Sequence, residues 1–290
     1  MIFAPRSCPS RPGFAMTTRI FRATDRQYMA MNLNVIGSSP AWPNPGGAHS
    51  GYLLEENGRS LLLDCGPGVL SRLRASNGWP VIDAVAITHF HLDHWGDLVP
   101  WVWGSMYRGQ EKPLPKPELW VFEGGRSYLE NLGTRLGFPD MFDRAFVLHE
   151  YRGGEPFAAG GFEVLALRLP HYTLETYGFR VTGEDVTLAY SGDSAPSDHL
   201  VELARDADLF VCEATLERAE LDGELRGHLD AEEAIDAYRR AGAARLLLTH
   251  RPFELPLDDG LERAYDGLEL TIAPRVARSA DSASGSRPAP

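Results

Sequence analysis

Lysine and cysteine are scarce in this chain. Lys112 and Lys116 are its only lysines among 290 residues, and acidic residues outnumber basic ones 40 to 28, giving a formal net charge of −12. Such a balance argues against a surface built to grip a long nucleic acid by counterion release, although a local basic patch, or a small anion held by metal, stays compatible with it. The three cysteines, Cys8, Cys65 and Cys212, form no C-x-x-C pair. An odd, sparse count suits a reducing compartment, so a cytoplasmic location is expected. No apolar run reaches the length of a membrane span, so no membrane partner is expected. Residues 1–31 intersperse Arg and Pro with single apolar residues and lack the sustained apolar stretch of a secretory signal. They are expected to be a disordered extension, with Met16, Met29 and Met31 as alternative starts. The Ser, Ala and Pro-rich residues 276–290 are expected to be a disordered tail. Between these ends no linker, repeat or low-complexity stretch interrupts residues 32–275, which are expected to form one domain.

What the sequence does contain is a set of short Val, Leu and Ile-rich runs alternating with helical patterns, the signature of an α/β fold. Strands are predicted at 32–37, 51–57, 59–66 and 84–88, then at "LWVFE", "FEVLALRL", "YGFRVT", "VTLAYSG", "DLFVCEAT" and "ARLLLTH". Helices are predicted near 97–108, 126–136, 197–207 and 230–242. Asp230 followed three positions later by Glu233 supplies a helix start, because the Asp side chain accepts from free backbone N–H groups.

The strands end repeatedly in ionisable residues. Asp64 follows "LLL"; His89, His91, Asp93 and His94 follow "AVAIT"; His171 follows "LALRLP"; Asp193 follows "LAYSG"; Glu213 follows "LFVC"; His250 follows "RLLLT". Neutral imidazole and carboxylate are the ligands that suit zinc and its neighbours in the first transition row. Two candidate ligand sets follow, His89, His91 and His171 in one and Asp93, His94 and His250 in the other, with Asp193 available to bridge them.

"THFHLDHWGD" resembles the H-x-H-x-D-H signature of the metallo-β-lactamase superfamily, and "LLLDCGPG", "PHYTLETYGF", "LAYSGD" and "LLLTH" fall in that superfamily's order over roughly residues 32 to 275. The resemblance implies a four-layer αβ/βα sandwich, a dinuclear zinc site with the ligand sets just given, and hydrolytic activity; Mn²⁺ and Fe²⁺ are alternative metals. "CEATLER" and "GHLDAEEA" resemble the Glu and late His motifs of the RNase Z-like branch, which implies that Glu213 and His228 form a proton-handling pair. The opening "GSSPAWPNPGGAHSGYLLE" resembles that of atypical class II cyclic-nucleotide phosphodiesterases. RNase Z carries a long tRNA-gripping arm between the third metal histidine and the bridging Asp, whereas here His171 and Asp193 are only 22 positions apart.

The expected activity is hydrolysis of a phosphodiester in a cyclic or other small nucleotide. Two metal ions would share a hydroxide as nucleophile. Asp93 would bind the second ion and orient that hydroxide. Asp64 would fix a ligand histidine through its N–H. His228, charged by Glu213, would protonate the leaving oxygen. The alternatives are tRNA 3′ processing without an arm, lactone or thioester hydrolysis on the same metals, and a non-catalytic binding protein; a homodimer would permit a shared basic groove. His49 either lines the substrate pocket or is a plain loop residue, and His149 and His199 are expected at the surface. Trp42, Trp95, Trp101 and Trp103 are candidates for stacking a base, the helically spaced pair 101 and 103 being better suited to the core. Arg108, Lys112 and Lys116 form a basic cluster that would suit a single phosphate.

Overall fold

The structure is a computed structural model that describes residues 29–76, 78–107 and 116–275. The expectations for the two ends, apart from residues 29–31, and for Arg108 and Lys112 lie outside the described residues.

The first sheet contains β1 (Met31–Gly37), β2 (Gly51–Glu56), β3 (Arg59–Leu63), β4 (Ala84–Ala86), β5 (Glu118–Phe122) and β6 (Val147–Tyr151) side by side. The second contains β7 (Pro156–Ala159), β8 (Phe162–Leu169), β9 (Thr176–Thr182), β10 (Thr187–Tyr190), β11 (Leu209–Glu213) and β12 (Leu246–Thr249). The last strand, β13 (Glu269–Ile272), returns to the first sheet beside β1. Both sheets are mixed. In the first, β1, β2 and β3 are antiparallel and β3 to β6 are parallel; in the second, β7 to β10 are antiparallel and β10, β11 and β12 are parallel.

Period-2 alternation sorts the strand side chains into layers. Leu61 and Leu63 of β3 point into the apolar layer between the sheets, with Leu33, Leu54, Phe162, Phe179 and Leu188. Leu62, between them, points outward with Val85 and Leu119. There it meets α1 (Val69–Leu73), α2 (Leu92–Trp95), α3 (Leu98–Tyr107), α4 (Gly125–Arg135) and α5 (Met141–Ala145), which contribute Val69, Trp95, Trp101, Leu129 and Met141. On the far face, α6 (Asp198–Leu203) and α7 (Ala231–Ala241) cover Phe210 and Leu248 with Leu200, Leu203, Ala234 and Ala237. The result is the αβ/βα sandwich that the motifs predict. The α7 start is a complete capping box between Asp230 and Glu233, and Gly242 ends the helix at φ 65°.

Three strands escape sequence reading: β6, β7 and β13. Each lies at an edge of its sheet and carries exposed residues along its length. Edge strands are short and half-polar, so they lack the apolar run that marks a central strand. Met31, assigned by the sequence to the disordered extension, is instead a fully buried residue of β1. At the other end of the sheets, the C-terminal ends of β3, β4, β8, β10, β11 and β12 converge on one edge of the sandwich.

Candidate metal centre

The six strand ends deliver their ionisable residues to one place. Asp64 follows β3, His89 and His91 follow β4, and α2 carries Asp93 and His94 one turn later. His171, Asp193 and His250 follow β8, β10 and β12, and Glu213 ends β11. Two four-residue groups have ligand atoms within 4.8 Å of one another: His89, His91, His171 and Asp193; and Asp93, His94, Asp193 and His250. Asp193 belongs to both. Its Oδ2 lies 3.7 Å from Nε2 of His89 and 3.7 Å from Nε2 of His171, while its Oδ1 lies 3.2 Å from Nε2 of His94 and 3.6 Å from Nε2 of His250. One carboxylate thus turns one oxygen to each group.

Two buried carboxylates orient the histidines. Asp64 accepts from Nδ1 of His94 at 2.7 Å and from the Thr88 hydroxyl, which in turn lies 3.0 Å from Nδ1 of His89. Glu213 accepts from Nδ1 of His228 at 3.0 Å and from the Thr215 hydroxyl at 2.6 Å, which lies 2.9 Å from Nδ1 of His250. A threonine that donates its proton to a carboxylate can only accept from the imidazole, so both relays place the histidine proton on Nδ1. The Gly227 carbonyl does the same for His171, at 2.6 Å. With the neutral-ring proton on Nδ1, His89, His94, His171 and His250 turn Nε2, the nitrogen left to bind a metal, toward the centre. Asp64 and His250 adopt left-handed backbone, φ 59° and 53°, a strained geometry typical of sites that aim side chains. Gly66 is required beside them, since a Cβ there would lie 2.0 Å from the Asp93 carbonyl oxygen.

Acceptors facing acceptors call for a cation. Nε2 of His250 stands 3.1 Å from Oδ2 of Asp93, and Nε2 of His89, Nε2 of His94 and Oδ1 of Asp193 are buried without a hydrogen-bond partner. The 3.2 Å approach of His94 to Asp193 lacks hydrogen-bond geometry. Burial opposes charge on His94, yet Asp193, Asp64 and Asp93 outweigh it and hold its pKa well above the usual histidine range. Burial likewise opposes ionisation of Asp193, but His250 and His94 outweigh it and hold that carboxyl well below its usual range. Desolvation pushes His89 well down. Imidazole nitrogens and carboxylate oxygens in two such groups fit divalent first-row metals.

Glu213 and His228 adjoin this cluster. The His228 ring stacks at 20° on that of His250, 5.8 Å between centroids, and meets His171 edge-on at 4.9 Å. Burial lowers the His228 pKa, but the Glu213 charge and hydrogen bond outweigh it and push the value up to about 9. With Nδ1 on Glu213, the imidazolium keeps Nε2–H to give.

The remaining candidates fall elsewhere. His49 is buried beside the second group, its Nδ1 2.8 Å from the Pro40 carbonyl, and burial lowers its pKa against the pull of that carbonyl and of Asp93. His199 is exposed, but His149 is half-buried and stacks on Trp120 at 4.5 Å. Trp95 and Trp101 are core residues, which removes them as base-stacking groups; Trp103 packs on Phe138, and Trp42 is 53% exposed. Lys116 donates to the Asp143 carbonyl of α5. Thr88, Thr215 and Tyr190 carry no motif that marks them in the sequence; the Tyr190 hydroxyl also donates to Asp64 at 2.8 Å. The threonines' one mark in the sequence is position: Thr88 adjoins His89, and Thr215 lies two residues after Glu213.

Comparison with known proteins finds relatives of the same fold. The family model for the beta-lactamase superfamily domain matches residues 59–251. The chain is 31% identical to the probable metallo-hydrolase YhfI of Bacillus subtilis, over 77% of this chain and 87% of that protein. The YhfI crystal structure superposes with a TM-score of 0.71, at 26% identity, over 84% of this chain and 99% of that one. A ribonuclease Z of Mycobacterium bovis is 27% identical over 83% of this chain and 92% of its own length. A diphosphatase of the PhnP family shares the fold, with a TM-score of 0.65 at 20% identity, over 83% of this chain and 97% of that one. The chain belongs to the beta-lactamase superfamily, as a metal-dependent hydrolase of the metallo-β-lactamase fold within the RNase Z-like branch.

Proposed function

We propose that residues 32–275 act as one phosphodiesterase unit for a cyclic or other small nucleotide. The observation that carries this reading is the Glu213–His228 pair set against the two metal-type groups, since a departing alkoxide needs a proton donor beside the phosphate. His89, His91 and His171 would hold one ion and Asp93, His94 and His250 the other, with Asp193 shared. Two Zn²⁺ ions, or Mn²⁺ or Fe²⁺ in their place, would supply Lewis acidity toward water and phosphate and the positive charge that the surface lacks. Asp93, the one carboxylate confined to the second group, orients the attacking water. His228 gives its Nε2 proton to the leaving ribose oxygen, and Glu213 stabilises the imidazolium before that transfer. Asp64 does no chemistry and keeps His94 and His89 aimed.

Substrate size is read from the His171–Asp193 interval. It holds β9, β10 and the tight turn between them, which leaves no arm for a tRNA body, and the net charge of −12 offers little remote grip on a polyanion. The likeness to ribonuclease Z keeps tRNA 3′ processing as the second reading. Metal-loaded protein is to be assayed on cyclic nucleotides, an aryl phosphodiester, precursor tRNA and a lactone. Higher kcat/KM on the small phosphodiesters is expected. Salt-sensitive cleavage of precursor tRNA with negligible cyclic-nucleotide turnover contradicts the proposal.

A further inference from the structure

The segment joining β11 to α7 has little regular structure, yet it carries His228 and the Gly227 carbonyl that fixes His171. Asp222 closes it. Its side chain is only 4% exposed, and its Oδ2 accepts from two successive main-chain donors, the N–H of Gly227 at 2.6 Å and that of His228 at 2.8 Å, with Nε of Arg226 at 3.4 Å. Its Oδ1 accepts from the Tyr172 hydroxyl at 2.8 Å. Tyr172 directly follows His171, holds left-handed backbone at φ 49°, and donates its own N–H to the Arg226 carbonyl at 3.1 Å. The Tyr172 ring lies so close to Gly227 that a Cβ there would be 2.4 Å from it. Arg226 anchors the far side through Glu233 of α7 and the His228 carbonyl.

We propose that Asp222 is a positioning residue: by binding the N–H groups of Gly227 and His228 together, its carboxylate places the His228 imidazole and the Gly227 carbonyl at once. The loop is drawn onto Tyr172, and Tyr172 is fixed in sequence to His171, so one acid couples the candidate proton donor to a candidate metal ligand. This rests on reading His228 as the acid. A loop acid that only adds stability would weaken all activities alike when removed. A positioning acid weakens the reaction that needs the proton.

The test compares full-length metal-loaded D222A, D222N and H228A on a cyclic nucleotide, which expels an alkoxide, and on bis(p-nitrophenyl) phosphate, which expels a good leaving group. Hydrogen–deuterium exchange over residues 222–229 is followed in parallel. D222A is expected to lose about 10²-fold in kcat on the cyclic nucleotide, the scale of an ångström-size misplacement, and clearly less on the aryl ester, which needs no proton and feels only the loosened Gly227 carbonyl behind His171. Its 227–228 amides should exchange faster. D222N is expected to restore both properties, because an asparagine oxygen accepts from the two N–H groups while its amide donates to the Tyr172 oxygen. Native exchange in D222A, or equal loss on both substrates, overturns the proposal. Equal losses in H228A itself remove the acid reading instead; the loop lock is then decided by exchange, fast and rescued by D222N in support, native in refutation. If D222A does not fold, D222S carries the same comparison with the same outcomes.

Discussion

The Asp64 and Glu213 ends of the site are built alike, but their histidines face different surroundings. Each has one buried carboxylate, one histidine bound to it directly and a second reached through a threonine hydroxyl. At the Asp64 end both histidines, His94 and His89, belong to the candidate ligand groups. At the Glu213 end only His250 faces Asp93 and Asp193; His228 sits one ring further out, 13% exposed. The supports differ too. Asp64 takes the Tyr190 and Thr88 hydroxyls and one main-chain N–H, that of Thr88, whereas Glu213 takes the Thr215 hydroxyl and three main-chain N–H groups, those of Ser194, Thr215 and Leu229. Under the proposed function, the same hydrogen-bonding device would serve ligand orientation alone on one side and, on the other, ligand orientation combined with a proton donor.

The sharpest contrast lies between the two directly bound histidines. H228A should keep its metal and lose about 10²–10⁴-fold in turnover of an alkoxide-leaving phosphodiester, while H94A should lose metal along with activity. Elemental analysis beside kinetics separates them, and metal loss from H228A would make the two ends equivalent. Next in size are the relays. T88V and T215V should each weaken metal affinity by about 10–100-fold, the usual penalty for removing a group that orients a ligand, and T88S and T215S should restore it. Competition with a chelator of known affinity measures this. Normal affinity in either valine variant would show that its threonine orients nothing. The smallest effect is expected at Tyr190: Y190F takes one neutral donor from Asp64 and should lower stability by about 1 kcal/mol in urea denaturation, with metal content unchanged. No side-chain change reproduces it at the Glu213 end, where the corresponding donors are backbone.

The sequence shows the candidate ligand groups openly because metal chemistry favours His and Asp at strand ends, and His89 to His94 sit within one short loop and turn. The central strands are equally open: β4 and β11 are buried over their whole length and read as apolar runs. Asp222 is not legible. It is one acid among several in "ERAELDGELRG", and only folding brings it to two consecutive N–H groups and to Tyr172, 50 positions away. Thr88 and Thr215 are partly hidden for a similar reason, since a threonine's role depends on which carboxylate takes its proton. The edge strands β6, β7 and β13 are missed because solvent, not a neighbouring strand, chooses half of their residues.

Under the proposed function, Asp193 is the carboxylate shared between two metal ions. Counting ions per chain by mass spectrometry, in reconstituted wild-type protein and in D193A, tests it most directly. Close to two ions per wild-type chain and fewer than one in a folded D193A are predicted. A wild-type protein that binds no metal, or a D193A that keeps both ions, would contradict it.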